Sequence, residues 1–180
     1  MRNAIARWMI KRMGSRYDYD VSYQLYLLAQ APKAYWKFAR LSAVARHRES
    51  APSEAVLTVS LLGAMAEDCG PCTQLIAQMA QERGMASDLI EAVLTHNTVA
   101  MTPSIALAYR YGEAVLGRAA AEDLREEVRA RWGEKGVIDL ALAMLAGRLF
   151  PIAKSALGYD RQCRYVSIEG RSIKVAKPMT

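Results

Sequence analysis

Between Ala55 and Ala66 the chain is apolar on every side, interrupted only by Thr58, Ser60 and Gly63. A helix of that composition has no face to offer water and is buried by its neighbours. The run falls short of the roughly 20 apolar residues that cross a bilayer, so it predicts a buried core helix from Glu54 to about Asp68. The chain is then broken at Cys69-Gly70-Pro71-Cys72. Pro71 suits the first turn of a new helix, and Leu75, Ile76, Met79 and Ala80 follow at helical spacing up to Gly84.

The rest of the chain reads mostly as helix. Residues 3–13 predict a basic amphipathic helix with Ala4, Ile5, Trp8, Met9 and Met13 on its apolar side, ended by Gly14 and Ser15. Asp18 or Asp20 is placed to cap a second helix through Tyr23 and Leu27, and Pro32 restarts a third through Tyr35 and Leu41. Arg46-His47-Arg48 reads as solvated. Further helices are expected from Ser87-Asp88, from Pro103 to Gly117, from Ala119 to Trp132, and from Val137 to Leu157 with a bend or break at Pro151. Tyr165–Ile168 and Arg171–Val175 alternate around Glu169-Gly170, a hairpin signal. The expected fold is all-α with a short C-terminal β-hairpin. Its segments are a basic helical N-terminal extension (1–48) packed on a helical domain (49–160), then a tail (161–180).

Charge follows the same division. Residues 1–48 carry +8, residues 49–160 carry −6 and residues 161–180 carry +4, giving a net +6. Basic ends flanking an acidic middle suit packing against that middle or a neighbouring subunit. The alternative is docking of the basic N-terminal helix to an anionic membrane or nucleic acid. No secretory signal pattern is visible. The three cysteines are too few and too odd in number for a secreted disulfide scaffold, so a cytoplasmic location is expected.

Cys69 and Cys72 are the residues that carry chemistry. A free thiol titrates near ~8.5, and a helix N-terminus favours the thiolate. Cys72 falls in the first turn of the helix opened by Pro71, where unpaired N–H groups point at added negative charge. One thiolate then attacks and the other closes a Cys69–Cys72 disulfide. Glu67 and Asp68 precede the pair and are placed to shuttle protons or to oppose ionisation. A zinc site would draw on His47, His96 and Cys163, which lack finger-like spacing; retention of the cysteines as small packing residues is the third reading. His96, at a helix end, is either a base for the thiols or a capping group.

Two segments carry a family resemblance. Glu67-Asp68-Cys69-Gly70-Pro71-Cys72 leads into Thr73-Gln74-Leu75-Ile76-Ala77-Gln78-Met79, and Trp132-Gly133-Glu134-Lys135-Gly136-Val137-Ile138-Asp139-Leu140 leads to Arg148-Leu149-Phe150-Pro151 and Ala156-Leu157-Gly158-Tyr159. In this order they resemble the carboxymuconolactone decarboxylase and AhpD-like alkylhydroperoxidase superfamily over about residues 50–160. The resemblance implies an AhpD-like helical bundle that forms homo-oligomers, commonly trimers or hexamers. It also implies a thiol-dependent peroxidase, without metal or organic cofactor, that reduces a small hydroperoxide or disulfide substrate at the expense of an external dithiol. Cys72 would attack and Cys69 resolve. The family's histidine and glutamate positions are held here by Ile76 and Leu57, so Glu67 is the expected proton carrier, with Glu54 and His96 behind it. The contrasting expectation is a non-catalytic AhpD-like binding protein that docks through its N-terminal helix.

Overall fold

A computed structural model describes residues 1–159 and 165–176. The elements, in chain order, are α1 (Arg2–Tyr17), α2 (Ser22–Gln30), α3 (Pro32–Arg40), α4 (Ser42–Arg46), α5 (Ser53–Ala66), α6 (Gly70–Glu82), α7 (Ser87–Leu94), α8 (Pro103–Leu116), α9 (Glu122–Ala156), β1 (Tyr165–Ile168) and β2 (Arg171–Lys174). The chain is therefore mostly α with a short antiparallel hairpin, as the sequence predicts.

Helix α5 is the centre. Every residue from Ala55 to Met65 except Ser60 is buried, because α6, α8 and α9 all pack against it. Leu61, Leu62 and Val59 are among the most deeply buried side chains, each contributing roughly 1.5–3 kcal/mol of burial. The α5–α9 crossing is close enough to demand glycine. A Cβ on Gly63 would lie 2.7 Å from the Met144 carbonyl oxygen, and one on Gly147 2.4 Å from that of Ser60.

Asp139 of α9 fixes the entry to α5. It has no solvent exposure. Its carboxylate accepts N–H bonds from Glu49 (2.9 Å), Ser50 (2.7 Å) and Ala51 (2.9 Å). Burial alone would raise the carboxyl, but those N–H groups and the neighbouring His47 outweigh it and hold it below its ordinary value. His47 Nε2 stands 3.5 Å from Asp139 and 3.8 Å from Glu49. The expectation of a solvated 46–48 segment is thus corrected at His47, since its imidazole faces a carboxylate fully inside the fold.

Other boundaries move for local reasons. Helix α1 continues past Gly14 to Tyr17 and ends at Asp18 in the left-handed region (φ 46°). Its buried face is Ala6, Ile10 and Gly14, whereas Ala4, Ile5, Trp8 and Met9, expected inside, are exposed. The expected Asp18 or Asp20 cap is not formed: the N-cap of α2 is Val21, without a side-chain cap, and Asp20 one residue earlier accepts the Ser22 N–H at 2.9 Å. The two expected C-terminal helices join into α9 across a kink at Gly133 (φ 72°), and the helix carries through Pro151.

The hairpin pairs Val166 with Ile173 through a Glu169-Gly170 turn with positive φ at both residues, the geometry of a type I′ turn. Val166, Ile168 and Ile173 bury in the core cluster of α6, α7 and α8. Gln74 of α6 clamps the strand by donating to the Ser167 carbonyl (2.9 Å) and accepting its N–H. An isolated hairpin is marginal; this one is held by the core. Cys163 lies outside the described residues.

Candidate functional site

The turn between α5 and α6 follows from one residue in the left-handed region. Asp68 adopts φ 50°, which short polar side chains tolerate better than most. Its N–H donates to the Met65 carbonyl (3.0 Å), and the Cys69 N–H reaches the Ala64 carbonyl (3.4 Å). This is a Schellman closure of α5, and it delivers Cys69 as the N-cap of α6. The Cys69 carbonyl accepts the Thr73 N–H at 2.9 Å and the Thr73 hydroxyl at 3.0 Å. Cys72 lies in the first turn, its Cα 5.3 Å from that of Cys69, and the two are joined as a disulfide. The α6 N-terminus favours negative charge at Cys72.

The pair is covered. Cys69 is 6% exposed and Cys72 4%. The cover comes largely from the N-terminal extension: Tyr19 and Tyr23, with Met13, Tyr17, Val21 and Phe38 around them, and Leu157 and Tyr159 from beyond α9. The Tyr19 hydroxyl stands 3.6 Å from Cys72 Sγ, within hydrogen-bond reach of a sulfur. Burial first, then Tyr23 and Asp20, push the Tyr19 phenol far above its usual range, so it is a neutral O–H donor. Lys154 of α9 also has no exposure. Its Nζ lies 4.7 Å from the Tyr19 ring centroid and 6.0 Å from that of Tyr23. The Tyr23 hydroxyl accepts from Gln24 Nε2 at 3.0 Å.

Of the predicted site residues, Cys69 and Cys72 come together. Glu67 caps the C-terminus of α5, and its carboxylate accepts from Arg148 Nε at 2.5 Å. His96 sits beyond the end of α7 with φ 58°. Its ring packs edge-on against Tyr109 of α8, centroids 5.7 Å apart, and its contacts run to that ring rather than to the sulfurs. Leu57 is buried in the central core, and Ile76 packs between that core and the cysteine cluster. Glu54 accepts from the Thr102 hydroxyl at 3.4 Å. Among the described residues no group of three or more His, Cys, Asp or Glu side chains is placed to hold a metal ion.

Sequence reasoning missed Tyr19 and Lys154. Lys154 does leave a trace, as the lone charge between Leu149 and Leu157. Tyr19 leaves none, since its partner is 53 positions away. The fold and site together define a mostly helical protein with a buried disulfide at a helix N-terminus. No family model, curated protein or solved structure matches the chain.

Proposed function

We propose that this chain is a thiol-dependent, peroxidase-like oxidoreductase of the AhpD-like kind, acting as a homo-oligomer in the cytoplasm. The observation that carries this reading is the Cys69–Cys72 disulfide spanning the start of α6. In the reduced form the Cys72 thiolate attacks the terminal oxygen of a hydroperoxide. The O–O bond breaks, Cys72 becomes a sulfenic acid, and the departing alkoxide takes a proton to leave as the alcohol. The Cys69 thiol then attacks the Cys72 sulfur, forming the disulfide and releasing water. An external dithiol restores the pair and is itself oxidised to a disulfide.

The test is hydroperoxide turnover with a dithiol reductant. Cys72→Ser is expected to abolish it and Cys69→Ser to stop it after one cycle. Equal turnover in Cys72→Ser and the unaltered protein overturns the reading.

A second reading has one observation in its favour. Ile5, Trp8 and Met9 are exposed on α1 beside Arg7, Lys11 and Arg12, the composition of a helix that lies on an anionic lipid surface. Binding to anionic vesicles that is lost in Trp8→Ser/Lys11→Glu supports it. Absence of binding at low salt removes it.

A further inference from the structure

A thiolate at a 4%-exposed position is costly unless hydrogen bonds and charge compensate it. When the disulfide opens by attack on Cys69, that charge appears on Cys72. One side chain already faces the place where it appears. The Tyr19 phenol is a donor 3.6 Å from Sγ, and the amino group of Lys154 lies over its ring. Tyrosine rings attract an ammonium through their faces, which holds the phenol in place. Tyr19 belongs to the link between α1 and α2, so the N-terminal extension contributes to the site as well as covering it.

We propose that Tyr19 is a catalytic residue, donating a hydrogen bond to the Cys72 thiolate, and that Lys154 is a positioning residue that holds the Tyr19 ring and supplies the compensating cation. In the reductive half-reaction, one thiolate of an external dithiol attacks Cys69 Sγ. The Cys69–Cys72 bond breaks, and its electron pair leaves on Cys72, where Tyr19 receives it. The second thiol of the reductant loses its proton to Cys69 as it displaces that sulfur. The reductant departs as a disulfide, leaving a Cys69 thiol and a Cys72 thiolate.

Among the described residues, the titratable groups near Cys72 are Tyr17, Tyr19 and Tyr23 of the N-terminal segment with Asp20 between them, Lys154 of α9, Tyr159 beyond it, and Glu67 and Asp68 in the turn before α6. Glu67 is engaged by Arg148 and Asp20 accepts the Ser22 N–H. The carboxylates disfavour a thiolate, so Tyr19, Lys154 and the α6 N-terminus must outweigh them.

This assignment deepens the dithiol reading, but its test needs no turnover. In the full chain carrying Cys69→Ser and Cys163→Ser, Cys72 is the sole thiol. NMR of carbon-13-labelled cysteine Cβ follows its ionisation against pH. The midpoint is expected below the free-thiol value of ~8.5 and to rise by about 1 unit in Tyr19→Phe, which removes only the hydroxyl. In Lys154→Met it is expected to rise at least as far. Tyr19→Phe titrating with the parent overturns the proposal, as does a parent midpoint at or above the free-thiol value. A purely structural Lys154 would shift thermal stability without moving the midpoint. Should Lys154→Met fail to fold, Tyr19→Phe alone decides. Absence of hydroperoxide turnover would sink the proposed function and leave this titration standing.

Discussion

Helix α9 carries two charged side chains with no solvent exposure, Asp139 and Lys154, and they are opposites in more than sign. Asp139 faces a complement that is always present: the N–H groups of Glu49, Ser50 and Ala51 at 2.7–2.9 Å. These groups stand where the chain enters α5, so the charge holds the central helix in place. Lys154 faces two tyrosine rings and, beyond the nearer one, a bond that can be broken. Asp139 therefore ties two parts of the backbone together, whereas Lys154 holds the ring of the tyrosine that meets the Cys72 sulfur.

The largest expected effect lies on the structural side. Asp139→Ala strands three backbone donors inside the protein and is expected to cost about 3–5 kcal/mol, read by denaturant unfolding. The carboxyl is held below its ordinary value, so its contribution is present above the unfolded value of ~3.9 and is lost as pH falls through the lower folded value. Asp139→Asn is expected to flatten that acid limb. An unchanged acid limb would place the charge's role elsewhere.

Lys154→Met sharpens the contrast. In the oxidised protein no thiolate exists, and an apolar chain of similar length fills the same space. What the substitution removes is the ammonium over the Tyr19 and Tyr23 rings, so the expected loss is about 0.5–2 kcal/mol. A loss as large as that of Asp139→Ala would make both charges structural and collapse the comparison.

What the sequence disclosed follows the same line. Features written in neighbouring residues were legible. The run Ala55–Ala66 announced α5, Glu169-Gly170 announced the turn, and the cysteines sat where their spacing put them. Features made by distant residues were not. Asp139 looks like one polar residue on a helix until the 49–51 backbone is folded against it. Tyr19 looks like one of several aromatics in a connecting segment. The face of α1 was misjudged because Ala6 and Gly14 are small. Close approach to the α1–α2 link, where a Cβ on Gly14 would meet the Tyr19 carbonyl oxygen at 3.0 Å, selects size over hydrophobicity.

The smallest expected effect concerns Glu67, which adjacency in sequence makes the natural proton carrier for the thiols. The structure gives its carboxylate another partner, since Arg148 holds it in a pair with side chains 19% and 44% exposed. A pair that open to water is worth about 0.2–1 kcal/mol. Glu67→Gln is therefore expected to lower stability by no more than that and to leave the Cys72 titration within about 0.3 unit of the parent, because the Arg148 guanidinium already balances that carboxylate. Turnover discriminates more sharply. Loss of a true general base costs on the order of 10²–10⁴ in rate. A drop of that size in Glu67→Gln, with the Cys72 midpoint unmoved, would assign proton delivery to Glu67 and confine Tyr19 and Lys154 to stabilising the thiolate. Near-parental turnover would leave the buried tyrosine and lysine as the groups that answer to the sulfur.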